Sequence, residues 1–196
     1  MLLASCIPTF VPPQYYYTHN TYYDHPSKVI LVYVDGDFGE ADRVEMQKAI
    51  DQWNFALNGR VRIEVKTWDF NMGNSDIKEA MGNGGWMIHK IDSTNPMIIA
   101  GTTNKDGTVM ETCAWVNHVG GNEMWIVRDR IQSTWVFGIM MHELGHLLGA
   151  DHNGKLLMAP VYNAFDYRCV DYDTMVMVTD HLALSIGSVN YCKIME

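Results

Sequence analysis

The segment HELGHLLGADH, residues His142 to His152, decides how the rest of this chain is interpreted. On a helix, His142 and His146 are four residues apart and project from one face, about 6 Å apart along the axis, so their imidazoles can share one metal ion. Zn²⁺ accepts neutral imidazole nitrogens at about 2.0 to 2.1 Å, and a catalytic site needs a third protein ligand and a position left open for water. We expect His152 to be the third ligand.

The third histidine reaches the same ion only if the chain turns back. A continuing helix would carry His152 about 9 Å beyond His146. Gly149 stands where the helix must end, and glycine enters the left-handed backbone conformation without a Cβ penalty. Glu143 is rotated about 100° from His142 around the helix, so we predict a general base rather than a ligand.

A helical histidine pair alone is often only a surface or core pair, but here five specified positions of the pattern HExxHxxGxxH agree. With these positions the chain resembles the metzincin zinc peptidases and, among them, the matrixins, the matrix-metalloproteinase-type catalytic domains. A second match is the segment Leu157-Met158-Ala159-Pro160-Val161-Tyr162. The resemblance implies that Met158 occupies a tight turn beneath the metal, as an apolar base for the imidazoles. It also implies that Pro160, Val161 and Tyr162 form a wall of the S1′ pocket.

The same resemblance implies an edge strand above the metal that pairs with extended substrate by β-augmentation. Cys113–Asn117, with Ala114 and Trp115, is the candidate, although its pattern fits an interior strand equally well. Gly138, four residues before His142, falls where matrixins place a side chain that limits the depth of S1′. Glycine at this position predicts a roomy pocket that accepts a large apolar or aromatic residue.

Strands and helices are predicted along most of the chain. Val29–Val34 is a continuous apolar run, typical of a strand buried on both faces. Asp37 and Glu40 have the spacing of a capping box and open a helix that stops at Asn58-Gly59. That helix has an apolar stripe made of Met46, Ile50, Trp53 and Leu57. The other predicted strands are Val61–Val65, Trp86–Ile91, Met97–Ala100, Thr112–Asn117 and Met124–Val127.

Two more helices complete the pattern. Ser133 is predicted to cap the helix that carries the zinc motif, and a last helix begins after Asp171 and ends near Gly187. The order resembles the metzincin (zincin) domain, an α+β fold with a twisted mixed sheet, a covering helix, a zinc-motif helix and a C-terminal helix. We assign residues 28–196 to this catalytic domain.

Residues 1–27 are predicted to form an extended N-terminal arm, because they contain proline and tyrosine clusters and no helical or strand period. The arm either packs on the domain as a strap or crosses the cleft and blocks it, with Asp24, His19 or Cys6 as a capping group for the metal.

Composition excludes some partners and leaves compartment open. The net charge is -9 and the 14 basic residues are scattered, which argues against nucleic acid. No apolar run approaches the ~20 residues that cross a bilayer. The segment Leu3-Ala4-Ser5-Cys6 resembles a bacterial lipobox, which would place a lipid anchor at Cys6; the alternative is a chance match of four residues. We expect a bacterial or phage-associated protein that is extracellular or at the cell surface. Cys169 and Cys192 could pair across the last helix or remain buried thiols.

These observations predict a zinc-dependent endopeptidase that hydrolyses extended protein or peptide substrates with one catalytic zinc ion. The histidine- and aspartate-rich loop that holds structural zinc and calcium in many matrixins is not recognisable, and His89, His118 and Asp106 are isolated candidates, so we do not expect further ions. The alternative is a metzincin-fold binding or structural component that keeps zinc but is latent or inactive. A separate protein inhibitor is a further predicted partner.

Overall fold

The described part of the chain comprises residues 25–71, 76–98, 102–103, 109–153, 156–160 and 169–186 of the computed structural model. Its strands are β1 (Lys28–Asp35), β2 (Val61–Phe70), β3 (Trp86–Ile91), β4 (Thr102–Thr103), β5 (Val109–Met110), β6 (Ala114–Val116) and β7 (Glu123–Val127). Its α-helices are α1 (Glu40–Ala56), α2 (Asp76–Gly82), α3 (Ser133–Leu147) and α4 (Tyr172–His181). Single 3-10 turns lie at Arg128–Arg130 and Leu156–Met158.

Five strands form one mixed sheet in the order β2-β1-β3-β7-β6. The first four run parallel, and β6 pairs antiparallel with β7 at one edge. β1 lies inside the sheet between β2 and β3. Its Ile30, Val32 and Val34 face the main core, while Tyr33 packs with Phe70 on the other side. The predicted α+β fold with a mixed sheet is confirmed, and the strand predicted around Ala114 lies at the sheet edge.

Two helices cover the sheet and bury the apolar stripe that the sequence predicts. Met46, Ile50, Trp53 and Leu57 have no exposed surface. Trp53 Nε1 donates a hydrogen bond to the carbonyl of Met141 at 3.0 Å, which ties α1 to α3 inside the core. A buried aromatic side chain removes ~150 to 250 Å² of surface from water, and the polar N–H of this tryptophan is also hydrogen-bonded. α1 therefore holds α3 against the sheet.

Both predicted N-caps before the zinc motif are wrong. The N-cap of α1 is Gly39, and the backbone N–H of Asp37 donates to the Asp35 carboxylate at 2.9 Å in the turn before the helix. The N-cap of α3 is Gln132, and the Ser133 hydroxyl accepts a hydrogen bond from Arg128 at 2.7 Å instead.

The last helix begins as predicted, with the Asp171 carboxylate accepting from the Thr174 N–H, but it ends at His181 rather than near Gly187. The helix stops there because Ala183 takes a left-handed conformation (φ 53°) and the Leu184 N–H turns back to the Thr179 carbonyl.

Three short elements, α2, β4 and β5, are absent from the sequence prediction. The predicted strand Met97–Ala100 is not formed at Met97 and Ile98, where the Ile98 N–H closes a turn on the Asn95 carbonyl at 3.0 Å. Residues 99 and 100, residues 1–24 of the arm and Cys192 lie outside the described residues. Cys113 is a free thiol, whereas Cys169 is disulfide-bonded. None of the described helices is long and apolar enough to span a membrane.

Candidate metal centre

Three histidine side chains converge at the end of α3. The Nε2 atoms are 3.1 Å apart for His142 and His146, 3.2 Å for His146 and His152, and 3.3 Å for His142 and His152. Two nitrogens bound at 2.0 to 2.1 Å to a tetrahedral zinc ion are roughly 3.3 to 3.4 Å apart. The triad therefore has the spacing that one such ion requires, and it is the only group of three or more His, Cys, Asp or Glu side chains so arranged in the described ranges.

Backbone carbonyls fix which nitrogen of each buried imidazole carries the proton. His142 Nδ1 donates to the Leu157 carbonyl at 2.6 Å, and His146 Nδ1 donates to the Ala150 carbonyl at 2.7 Å. In the neutral ring the proton then sits on Nδ1, and Nε2 carries a lone pair. Two lone pairs that face each other at 3.1 Å cannot form a hydrogen bond, so a cation is the partner that suits them.

The same burial keeps these rings neutral. Burial lowers the pKa of His142 to about 4, with the neighbouring His146 and His152 acting in the same direction. Burial also lowers the pKa of His146, again with help from His152. Neutral imidazole is the form that binds a metal, so both rings are ready to act as ligands at neutral pH.

A glycine turn brings His152 back to the other two histidines. α3 ends at Leu147, and Gly149 has φ +100°, a conformation that side-chain-bearing residues rarely adopt. The Gly149 N–H donates to the His146 carbonyl at 3.0 Å and the Ala150 N–H to the Gly145 carbonyl at 2.9 Å, which is the hydrogen-bond pattern of a Schellman end. The Asp151 carboxylate then accepts from the His152 N–H at 2.7 Å and holds the returning segment.

Glu143 lies next to His142 on α3 and outside the histidine cluster. The residue is only 7% exposed, and its Oε2 atom has no hydrogen-bond partner among the described residues. Burial raises the pKa of the Glu143 carboxyl to about 8. A buried carboxyl oxygen without a partner is costly for the fold unless a ligand or water completes it. A cation at the triad would favour the carboxylate form, which is the form that takes up a proton.

A close contact beneath the triad joins Gly145, Met158 and Trp53. A Cβ atom on Gly145 would lie 2.7 Å from Met158 Sδ and 3.4 Å from Trp53 Cζ2. The missing side chain at Gly145 therefore lets Met158 and Trp53 pack directly against the turn of α3 that carries His142 and His146. The 3-10 turn of Met158 also supplies the Leu157 carbonyl that orients His142.

The residues predicted to contact substrate are only partly described. Ala114 and Trp115 lie on β6, at the sheet edge. Gly138 is buried on α3, one turn before His142, and Pro160 is exposed. Val161 and Tyr162 lie outside the described residues.

Sequence reasoning missed the groups that orient the histidines, because two of them are main-chain carbonyls and carry no sequence signal. It also missed a second role of Asp171, whose carboxylate accepts from the Leu157 N–H at 3.3 Å in addition to capping α4. His89, a candidate for a further metal site, instead lies between the rings of Phe70 and Trp125. His118 is exposed, and Asp106 lies outside the described residues.

Comparison with known proteins adds a family and a structural match. The family model described as matrixin, a peptidase family, matches residues 40–177, more than half of the chain. A search of curated proteins found no match. A matching solved structure is metalloproteinase-II from Bacteroides fragilis, with 18% sequence identity and a TM-score of 0.47. The alignment covers 88% of this chain and 57% of that one, so this chain spans a little over half the length of that protein.

Proposed function

This chain belongs to the matrixin family of metallopeptidases, and on that premise we propose that it is a zinc-dependent endopeptidase acting on extended protein or peptide substrates. His142, His146 and His152 are the proposed zinc ligands, and Glu143 is the proposed general base. The histidine triad carries the proposal: three Nε2 atoms lie within 3.1 to 3.3 Å of one another. The Nδ1 atoms of His142 and His146 are occupied by backbone carbonyls, which leaves their Nε2 atoms for the ion.

Zinc, when bound, acidifies the attacking water and polarises the scissile carbonyl. Glu143 takes the proton from that water and delivers it to the leaving amine, so that no covalent intermediate with the protein forms. The Oε2 atom of Glu143 supports this role, because it has no hydrogen-bond partner among the described residues and its lone pairs are open to the proton of a water. Burial of Glu143 also shields the carboxyl from bulk solvent.

The hydrogen bonds between β6 and β7 indicate how substrate would add to the sheet. The Val127 N–H donates to the Cys113 carbonyl at 2.8 Å, and the Asn117 N–H donates to the Glu123 carbonyl at 3.0 Å. In an antiparallel pair, residues with inward and outward backbone groups alternate. The backbone groups of Trp115 therefore face β7, while those of Ala114 and Val116 face away from the sheet. We assign those two residues as the strand that a peptide pairs with.

Gly138 is the proposed determinant of the S1′ pocket. It is buried on α3 one turn before His142, and as a glycine it has no side chain that could fill such a pocket. The proposed preference is a large apolar or aromatic residue directly after the scissile bond. Gly138→Leu would shift that preference towards small residues in a peptide library, and an unchanged preference would remove Gly138 from this role.

The discriminating experiment compares wild type with Glu143→Gln on a quenched peptide library, with zinc content measured for both. The substitution keeps the side-chain volume and removes the proton acceptor, so we expect bound zinc to be retained and cleavage to fall at least 10²-fold, the usual contribution of a general base. Glu79→Gln, at an exposed position of α2, is the matched control and should cleave like wild type. Cleavage by wild type should also stop in the presence of a chelator.

Two results would contradict the proposal. Zinc-loaded wild type that cleaves no member of the library would favour a latent or inactive metzincin-fold component. Cleavage that persists in Glu143→Gln would remove Glu143 from the role of base.

We also propose that the protein works outside the cell or at its surface. The disulfide at Cys169 supports this location, because disulfides persist in oxidising compartments. Intact-mass analysis of the native product tests the lipid anchor at Cys6, since an acylated cysteine adds the mass of its fatty acids. A mass that matches the unmodified chain would exclude the anchor.

A further inference from the structure

The imidazole of His181, the last residue of α4, lies between two glycines from distant parts of the chain. A Cβ atom built on Gly149 would collide with His181 Cγ and lie 2.6 Å from Cδ2. A Cβ atom built on Gly120 would lie 2.7 Å from His181 Cε1 and 3.0 Å from Nε2. Opposite edges of one ring therefore touch Gly149 and Gly120, and neither position leaves room for a side chain.

Both glycines bond to the same atom of the metal-binding helix. The carbonyl oxygen of His146 accepts the Gly120 N–H at 2.8 Å and the Gly149 N–H at 3.0 Å. Both glycines have positive φ, +73° at Gly120 and +100° at Gly149. The loop after β6 and the turn at the end of α3 thus meet at the backbone of a proposed zinc ligand, and the His181 ring covers the meeting point.

Each of the two segments carries part of the proposed site. The turn at Gly149 leads within three residues to His152, the third histidine of the triad. The loop that contains Gly120 connects β6, the proposed substrate strand, to β7. The shape of that loop is set internally, since Asn117 Oδ1 accepts from the backbone N–H groups of His118 at 3.0 Å and Asn122 at 3.2 Å. Gly120 joins that loop to α3 through its hydrogen bond to the His146 carbonyl.

We propose that His181 is a positioning residue of the metal site, which holds the turn before His152 and the loop after β6 in register with α3. This inference rests on the proposed function, because that function makes the histidine triad a zinc site. The contacts of His181 themselves do not depend on a bound metal. The ring is the part of His181 that reaches both glycines: it alone touches Gly120, and it shares the contact with Gly149 with the His181 Cβ atom. The side chain remains exposed on its other side, so its removal opens no closed cavity in the core.

The test compares His181→Ala with His181→Phe, which keeps a planar ring and lacks the nitrogens. Asp180→Ala, at the adjacent exposed position of α4, is the matched control. Zinc affinity is measured by competition with a chromophoric chelator, and amide hydrogen exchange of the zinc-free protein is followed at Gly120 and Gly149. Groups that orient metal ligands indirectly contribute 10- to 100-fold in metal affinity. Because His181 acts through the backbone, we expect about a 10-fold loss of zinc affinity and faster exchange at both glycines in His181→Ala.

His181→Phe should restore both the affinity and the exchange protection, and Asp180→Ala should match wild type. Unchanged zinc affinity in His181→Ala, or a Phe variant as weak as the Ala variant, would overturn the proposal. If His181→Ala does not fold, His181→Leu, which retains volume without a planar ring, is judged by the same two criteria. If wild type itself binds no zinc, the proposed function fails, and the exchange rates at Gly120 and Gly149 alone decide the role of His181.

Discussion

Replacing Gly149 with alanine should destabilise the protein through two separable effects. The first is conformational, because an L-residue at φ +100° is strained, at a cost of about 1 to 2 kcal/mol. The second is steric, since the new Cβ would overlap the His181 ring and lie 2.5 Å from His181 Cβ. Overpacking of this kind costs about 1 to 3 kcal/mol.

Together these effects lower the free energy of unfolding by about 2 to 5 kcal/mol. For a chain of this size, each kcal/mol corresponds to about 2 to 4 °C in Tm, so the expected fall is between about 4 and 20 °C. Differential scanning calorimetry with excess chelator measures it without any contribution from bound metal. Gly82→Ala is the matched control, because a Cβ at that position meets nothing within 4 Å; its Tm should change by less than about 2 °C, as expected for a neutral surface site.

A double-mutant cycle separates the two effects. His181→Gly removes both the ring and its Cβ, so it should relieve the steric part of Gly149→Ala and leave the conformational part. The coupling free energy should be about 1 to 3 kcal/mol in favour of the double variant. Strict additivity would show that the ring does not pack on Gly149, and an unchanged Tm in Gly149→Ala alone would refute both the turn geometry and the contact.

Two further predictions concern groups outside the zinc triad. Burial between aromatic rings lowers the pKa of His89 to about 4. The neutral ring therefore stabilises the fold above its ordinary pKa of 6.5, and up to about 3 kcal/mol is lost as pH falls towards 4. Urea titrations of the zinc-free protein at several pH values measure the free energy of unfolding. This free energy should fall less steeply with falling pH in His89→Phe than in wild type, and an identical fall would exclude His89 as a contributor. Asp171→Ala should lower the free energy of unfolding by about 1 to 2 kcal/mol, through loss of the α4 cap and of the bond to the Leu157 N–H. Asp171→Asn, which can still cap, should retain most of that stability, and equal losses in both variants would contradict the capping role.

Local pattern predicted the elements that have strong periodicity. The apolar run Val29–Val34 became an interior strand of the sheet, although Val29 itself is exposed. The stripe containing Met46 and Trp53 became the buried face of α1, because burial of one helix face sets the period of its apolar residues. The Gly149 turn was also foreseeable, since few residue types other than glycine adopt positive φ at a helix end.

Features that depend on distant partners were not predicted. Serine is a residue type that often caps helices, but the Ser133 hydroxyl accepts a hydrogen bond from Arg128 instead. The Asp42 carboxylate holds that arginine in place at 2.6 Å. The two carbonyls that orient His142 and His146 belong to the main chain, so they cannot be predicted from residue types. His181 lies 32 residues after Gly149 and touches it only in the folded chain. These contacts are set by tertiary packing, which outweighs the local preferences that a sequence pattern reports.

The shortness of β6 has a consequence for solubility. An exposed strand edge is a template for pairing with other copies of the same chain, and long, flat edges lead to aggregation. β6 has only three residues, and the Asn117 side chain folds the chain away directly after it. Within β6, only Ala114 and Val116 have backbone N–H and C=O groups that point away from the sheet. Two residues form too few hydrogen bonds for the sheets of two molecules to join. The edge can therefore remain open to a passing peptide at high protein concentration without joining its neighbours into a fibre.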